Sequence, residues 1–586
     1  MPHNRWNTRG THAHDVPRSS PPESLTRRSF LATGAVAVAG LGLQVRVAHA
    51  SPRIIPATAA MRRAPLSTFL PEPASPELCR RLAHAAMEAA KAAGAEFADI
   101  RVGIARSVAV WPPWPPAMSF TVGYGIRARV HGTWGFQHGS VLTTDAVTTA
   151  ARGAVAGAAR YAATNRRLAA HASASTRRPF LTDLAPTPVV TGEWSVPFEI
   201  DPFAVSLDDY YRVIGTLANT TARVHRNGNI RCLGLGWEDE TRIFASTDGS
   251  LVTQYTLRDM QETKGGTNLP DDLGGGVKID LPTRDLPTRG FELALRQDTV
   301  DYLLTGMEEA VRLRELPFRP FDDLGRYPIV FDGASFANIF GVTASQALDG
   351  DRVAGIEADA SGTTFLMPPE EILGAANPIF SPLLSARADR SIPSSMAVQW
   401  DDEGIVPEPY TIIDHGRVVD YHTTRETAPL LADWYAKHGR PMRAHGGAVA
   451  AMVTNVPVGS AGHVHVAPAT DALSVYDLAR DLNHGFIVRG GHASANAGLD
   501  LATMNDGFVL EIKRGQPVAR SRLDMLQFAT KPILKEKLVA LGGSNSIRTA
   551  VLGTDKGVPW HRVPSQVSAP AALCKDVDVV SWVLRS

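Results

Sequence analysis

Residues 463–466 read HVHV, two histidines two positions apart. Side chains alternate along a strand, so His463 and His465 share a face, and two imidazoles so placed can share a metal ion. No carboxylate or third ligand stands at a diagnostic spacing, so exposed strand histidines are the first reading and a metal pair the fallback. Asp401, Asp402 and Glu403 in DDEG have the groups for cation binding or proton exchange, yet their place before a glycine reads as a solvated turn. His445 in RAHGGAV and His492 in GGHASAN lie where glycine backbone can approach a ligand, with plain loop residues as the simpler reading. Trp111 and Trp114 in WPPWPP could clamp an extended peptide between ring faces; the competing reading is a rigid hairpin connection packed on its own domain. There is no G-x-S-x-G elbow, no Walker A loop and no H-E-x-x-H helix. GGG at 274–276 runs into Val-Lys and reads as linker.

The elements that must position these residues follow from composition and pattern. At 586 residues the chain has room for two or three domains, and 59 basic against 59 acidic residues leave no field to attract nucleic acid. Three scattered cysteines, Cys79, Cys232 and Cys574, exclude a disulfide framework. Residues 1–50 read as a twin-arginine export signal: Arg27-Arg28 before Ser29-Phe30-Leu31, a glycine-interrupted apolar run, and Ala48-His49-Ala50 as a small-x-small cleavage site. That run is too short for a stable membrane span, which needs about 20 residues. The expectation is a mature chain starting near Ser51 and working in the periplasm or outside the cell. A Pro-rich linker (51–76) precedes an N-terminal α/β domain (77–263), in which a helix from Pro76 leads into alternating runs with a His131-Gly132 turn and a TDGS hairpin at 247–250. A Gly/Pro-rich boundary loop (264–290) leads to a strand-rich C-terminal domain (291–586). There, FGVTASQALDGDR (340–352) reads as the opening turns of a helix, with no ionisable side chain from Phe340 to Leu348.

The order and spacing of ADIRV, STDGS with Gln254, YPIVFDGASFANIFGVTASQALDGDR, DDEGIVPEPYTIIDHGRVVDYHTTRETA, MVTNVPVGS and GFVLEIKRGQPVA resemble the TldD/PmbA family of peptidases, also called modulators of DNA gyrase. The resemblance spans most of the mature chain. It implies an α+β fold, an N-terminal α/β domain with a mixed sheet and a strand-rich C-terminal domain, and metal-dependent cleavage of small or unstructured peptides in a two-subunit assembly. The family's active subunit holds zinc with two histidines of an H-E-x-x-x-H helix and a C-terminal cysteine, while the helix glutamate takes a proton from zinc-bound water. Laid onto this chain, the first histidine falls on Gly341, the glutamate on Val342, the second histidine on Gln346 and the cysteine at about Thr554, with Cys574 too far along. Glycine and valine have no ligating side chain, and a neutral amide binds zinc poorly and is no general base. The resemblance is therefore closer to the metal-free PmbA (TldE) type. It implies no cofactor and a non-catalytic subunit that takes an extended peptide by strand addition, or shapes the chamber of an active partner. The assembly would be a homo-oligomer, or a hetero-oligomer with an intact TldD-type subunit. The alternative is a working hydrolase whose zinc is held by relocated ligands, His463 and His465.

Overall fold

Alternating apolar and polar residues over 97–139 fold as a meander of β2 (Phe97–Val110), β3 (Ala117–Val130) and β4 (Thr133–Gly139), after a short β1 (Arg53–Ile55). The β3–β4 reversal uses His131 and Gly132, with φ of 49° and 71°, the positive pair that a two-residue hairpin of matched twist requires. With β5 (Thr191–Ser195), β6 (Leu235–Ser246) and β7 (Leu251–Asp259) these strands make a seven-stranded sheet ordered β1-β3-β2-β6-β7-β5, with β4 on the flank of β3. Only β5 and β7 pair in parallel, so the sheet is mixed. The structure is a computed structural model and describes residues 53–72, 75–112, 114–171, 183–222, 230–231, 234–259, 266–267, 277–278, 289–319, 325–391, 394–505, 507–523 and 525–579. The export signal at 1–50, Cys232, the glycine run at 274–276 and most of the 264–290 loop lie outside these residues.

Helix α1 (Pro76–Ala92) starts where the Ser75 hydroxyl accepts the Leu78 N–H, and its Leu82, Ala86 and Ala90 recur at helical period to bury against the sheet. Helix α2 (Thr144–His171) packs beside it on the same face. Farther along the same face, where Val108, Val110, Met118 and Trp237 continue the apolar alternation, α3 (Leu207–Ala222) packs together with Met61, Leu66 and Leu70, while the opposite face carries Arg101, Arg127 and Arg242. The stretch expected as a linker is thus built into the domain. Its prolines limit it to a three-residue strand and two 3-10 turns, but its apolar side chains still bury.

After α4 (Gln297–Arg314), the C-terminal half builds two six-stranded sheets. The strands of these two sheets are β8 (Gly325–Phe331), β9 (Ala386–Ala388), β10 (Tyr410–Asp414), β11 (Arg417–Val418), β12 (His463–Val466), β13 (His484–Arg489), β14 (Gly507–Lys513), β15 (Gln516–Leu523), β16 (Leu538–Leu541), β17 (Arg548–Lys556), β18 (His561–Ala569) and β19 (Ala572–Val579). The first sheet runs β15-β14-β13-β8-β19-β16 and the second β11-β10-β9-β12-β18-β17. One core joins both sheets around α5 (Gly333–Phe340): Phe336, Ile339 and Phe340 share it with Phe331 and Phe486 of the first sheet and Val464, Leu552 and Val567 of the second. Helices and mixed sheets combine as an α+β fold. Among the described residues no helix is long and apolar enough to cross a membrane.

Candidate functional site

Helix α5 begins at Gly333, ahead of the expected start at Phe340, because Asp332 caps it by accepting the Ser335 N–H at 2.8 Å. The segment FGVTASQALDGDR continues that helix as a wider π turn, Gly341–Ser345, and every residue of this turn is buried. Two of the four motif positions meet: Gln346 Nε2 donates to Thr554 Oγ1 at 2.8 Å, while Gln346 Oε1 accepts from Arg352 at 3.0 Å. Gly341 faces β17 and β18, and a Cβ built there would overlap Leu552 Cδ1 and stand 3.1 Å from Val567 Cγ2. Val342 packs in the same core. The volume that a ligand side chain at 341 would need is therefore filled by leucine, and the amide at 346 is spent on two hydrogen bonds. These residues do not fit the family's zinc. Cys574 lies in the first sheet, buried among core residues, and burial pushes its thiol up to about 12. Among the described residues no group of three or more His, Cys, Asp or Glu side chains is arranged to hold a metal ion.

Beside Gln346 lies a charged network that spacing alone left out. Lys556 donates to Asp349 Oδ2 at 2.9 Å and to the Gly459 carbonyl. Asp351 accepts the Gly459 N–H, and Glu357 accepts the Gly557 N–H at 3.2 Å. Burial pushes Asp351 up to about 6 against the pull of Lys556. Period two along β17 places Thr554 and Lys556 on one face, a clue that could have found the lysine. Further along, Tyr410 and His422 Nδ1 are 2.6 Å apart. His445, read as a loop residue, is buried with Nε2 3.2 Å from Asp420 Oδ2 and its ring stacked 3.8 Å from Tyr410. Burial drops the His422 pKa to about 3, so that ring stays neutral.

The DDEG turn is not solvated. Asp401, Asp402 and Glu403 are 2%, 6% and 4% exposed. Asp401 accepts the N–H groups of Glu403 and Ile405 at 2.9 Å and of Ala448 at 3.0 Å. Asp402 takes Arg242 and the Ala450 N–H, and Glu403 takes Arg127 at 3.2 Å and the Arg425 N–H at 2.7 Å. Arg101 bridges Asp99 at 3.1 Å and the Asp402 carbonyl at 3.3 Å. Gly404 does turn with φ of 78°, as turn chemistry requires, but Arg127 of β3 and Arg242 of β6 receive the turn's carboxylates and Arg101 of β2 its main-chain carbonyl. Burial and neighbouring Glu403 push Asp401 up to about 7.

The histidine pair stands in β12, in the interior of the second sheet, with His463 fully buried rather than exposed. In register, His463 lies beside Gln566 and His465 beside Ser568. Alternation along β18 sends Gln566 and Ser568 to one face and Val567, against Gly341, to the other. The pair is therefore on the face opposite Gly341, Gln346 and Thr554 and cannot supply relocated ligands to that position. His492 is exposed on a strand, His492–Ala495. In WPPWPP, Trp111 packs on Gly234 while Trp114 is 54% exposed, so the two rings do not form a clamp.

The family model described as the PmbA/TldA metallopeptidase C-terminal domain matches residues 324–581, which hold β8 through β19 and all four motif positions. No curated protein matches the chain. Among solved structures, a protein described as a modulator of a DNA gyrase from Thermotoga maritima is 13% identical with a TM-score of 0.56, covering 86% of this chain and 99% of its own. TldE from Thermococcus kodakarensis is 14% identical with a TM-score of 0.55, covering 86% and 100%. A protein described as a modulator of DNA gyrase from Bacteroides thetaiotaomicron is 14% identical with a TM-score of 0.54, covering 85% and 98%. At these identities the likeness shows the fold, while the matched C-terminal domain carries the family. With both in place, residues 324–581 form a C-terminal domain of the PmbA/TldA metallopeptidase kind, in a chain that shares the fold of these TldE and gyrase-modulator structures.

Proposed function

We propose that this chain is a non-catalytic member of the family, of the PmbA (TldE) type and without the catalytic zinc, which binds a small or unstructured peptide or completes the chamber of an active partner. The observation that carries this reading is the filling of position 341: Leu552 and Val567 occupy the space of the first ligand, and Gln346 is locked between Thr554 and Arg352. Without a carboxylate at 342 or a thiolate at 554, the family's own means of activating water is missing at these positions. Strand β17 ends the order of its sheet, passes Thr554 and among the described residues pairs with no strand on its outer edge, where an extended peptide can add. We read residues 1–50 as a twin-arginine signal, which would bring the folded chain to the periplasm or beyond.

The test is hydrolysis of unstructured peptides by the purified full-length chain with zinc supplied. The expected result is no cleavage above a chelator-treated control. Chelator-sensitive cleavage that survives further purification would overturn the reading. Affinity capture from its own cells is expected to recover a sibling with an intact H-E-x-x-x-H helix, or the chain itself as a homo-oligomer.

A further inference from the structure

The face of the second sheet turned away from α5 carries polar side chains that the proposed function does not use. His463, His465, Gln566 and Ser568 are neighbours there, and Thr549 of β17 stands beside Ser568. The two imidazole centroids are 3.9 Å apart. Each ring is held through one nitrogen. His463 Nε2 is 3.0 Å from Ser568 Oγ, itself 2.8 Å from Thr549 Oγ1, and the His465 ring is bonded to the Asp389 main chain. The other two nitrogens, His463 Nδ1 and His465 Nε2, are buried without a hydrogen-bond partner, as are both polar atoms of the Gln566 amide. His463 and Gln566 are 0% and 1% exposed. Buried polar atoms are rarely left unmet, and these, gathered on three adjacent side chains, call for an occupant that is not polypeptide.

We propose that His463, His465 and Gln566 form a binding site for one borderline divalent transition-metal ion, of the nickel, copper or zinc class. The two imidazole nitrogens suit such ions and would carry the affinity, while the Gln566 carboxamide oxygen, a weak ligand by itself, would only complete the shell. A ring bonded through one nitrogen presents the lone pair of the other, which is how metal-bound histidines are commonly oriented. Burial lowers both histidine pKa values, His465 to about 4, so both rings are in the neutral, ligating form at neutral pH. Arg387 and Arg289 add positive potential, which disfavours hard cations held by charge alone; Asp389, 3.5 Å from Arg387, offsets part of it. Because the sheet separates this site from Gln346 and Thr554, its ion would brace the sheet rather than act on peptide.

Calorimetric titration of the full-length chain with nickel chloride, with magnesium chloride as control, tests the site. The expected result is one nickel ion per chain and no magnesium uptake, with His465→Ala and His463→Gln each weakening nickel uptake about 10–100-fold at unchanged circular dichroism. His465 is only partly buried, so its variant keeps the test valid even where the His463 change unfolds the chain. Absence of nickel uptake by the wild type would leave ordered water as the occupant and overturn the proposal. Uptake unchanged in His465→Ala would place the ion elsewhere and overturn it equally.

Discussion

A side chain at position 341 competes with Leu552 for one volume, so the effect of filling it can be foreseen. Gly341→Ala is expected to lower stability by about 1–3 kcal/mol in urea unfolding, the usual cost of overpacking a dense core. The cost should shrink in a Leu552→Ala background, because the removed methyl groups are those the new Cβ meets. An equal cost in both backgrounds would refute the steric account. Glu426 offers a second residue-scale test. Burial, with Asp351 nearby, raises its carboxyl to about 7, against the pull of Arg127. Since the folded state holds this proton more tightly than the unfolded chain, the resulting stability is full below about pH 4.3 and is lost as pH rises to about 7. Glu426→Gln should therefore match the wild type near pH 5 and exceed it near pH 8, by on the order of 2 kcal/mol in denaturant midpoints converted to free energy. That Gly341 and Val342 carry no ligating side chain was legible in the sequence, because residue type alone decides ligation. The leucine that fills the space was not, since Leu552 is distant in sequence and only the fold brings it to Gly341.

At the scale of elements, the turn at 401–404 shows where local reading stops. Its glycine and its reversal were legible from turn chemistry. Its surroundings were not, because a charged tetrapeptide looks solvated until the strands that answer it are placed. Arg101 and Arg127 come from paired strands, and Arg242 from the next one, so alternation aims three guanidiniums at one turn. Asp402→Ala would strand Arg242 beside Glu240 alone and leave the Ala450 N–H unmet. The expected loss is about 3–5 kcal/mol, read by chemical unfolding, as for other broken buried ion pairs. Asp402→Asn, which keeps the shape and one acceptor, should cost less. The Pro-rich segment 53–70 teaches a similar lesson: proline content disclosed the lack of regular structure but not the burial of Met61, Leu66 and Leu70.

For the whole molecule, element order was the most legible property, since helix and strand periodicities survive without knowledge of tertiary contacts. The two faces of the second sheet were not, because a strand pattern shows that sides alternate and not which neighbour covers each. The hydrogen-bonded joint between the Asp401–Glu403 turn and the N-terminal sheet has one more consequence. Carboxylates from one half and guanidiniums from the other are both nearly dry, so separating the halves would take Asp402 and Glu403 from their guanidiniums and leave Arg242 with Glu240 and Arg127 with Asp99 as their remaining ion pairs. Partial melting then has no cheap intermediate. Scanning calorimetry is expected to show a single heat-absorption peak with equal calorimetric and van't Hoff enthalpies, and Asp402→Ala is the change expected to split it in two.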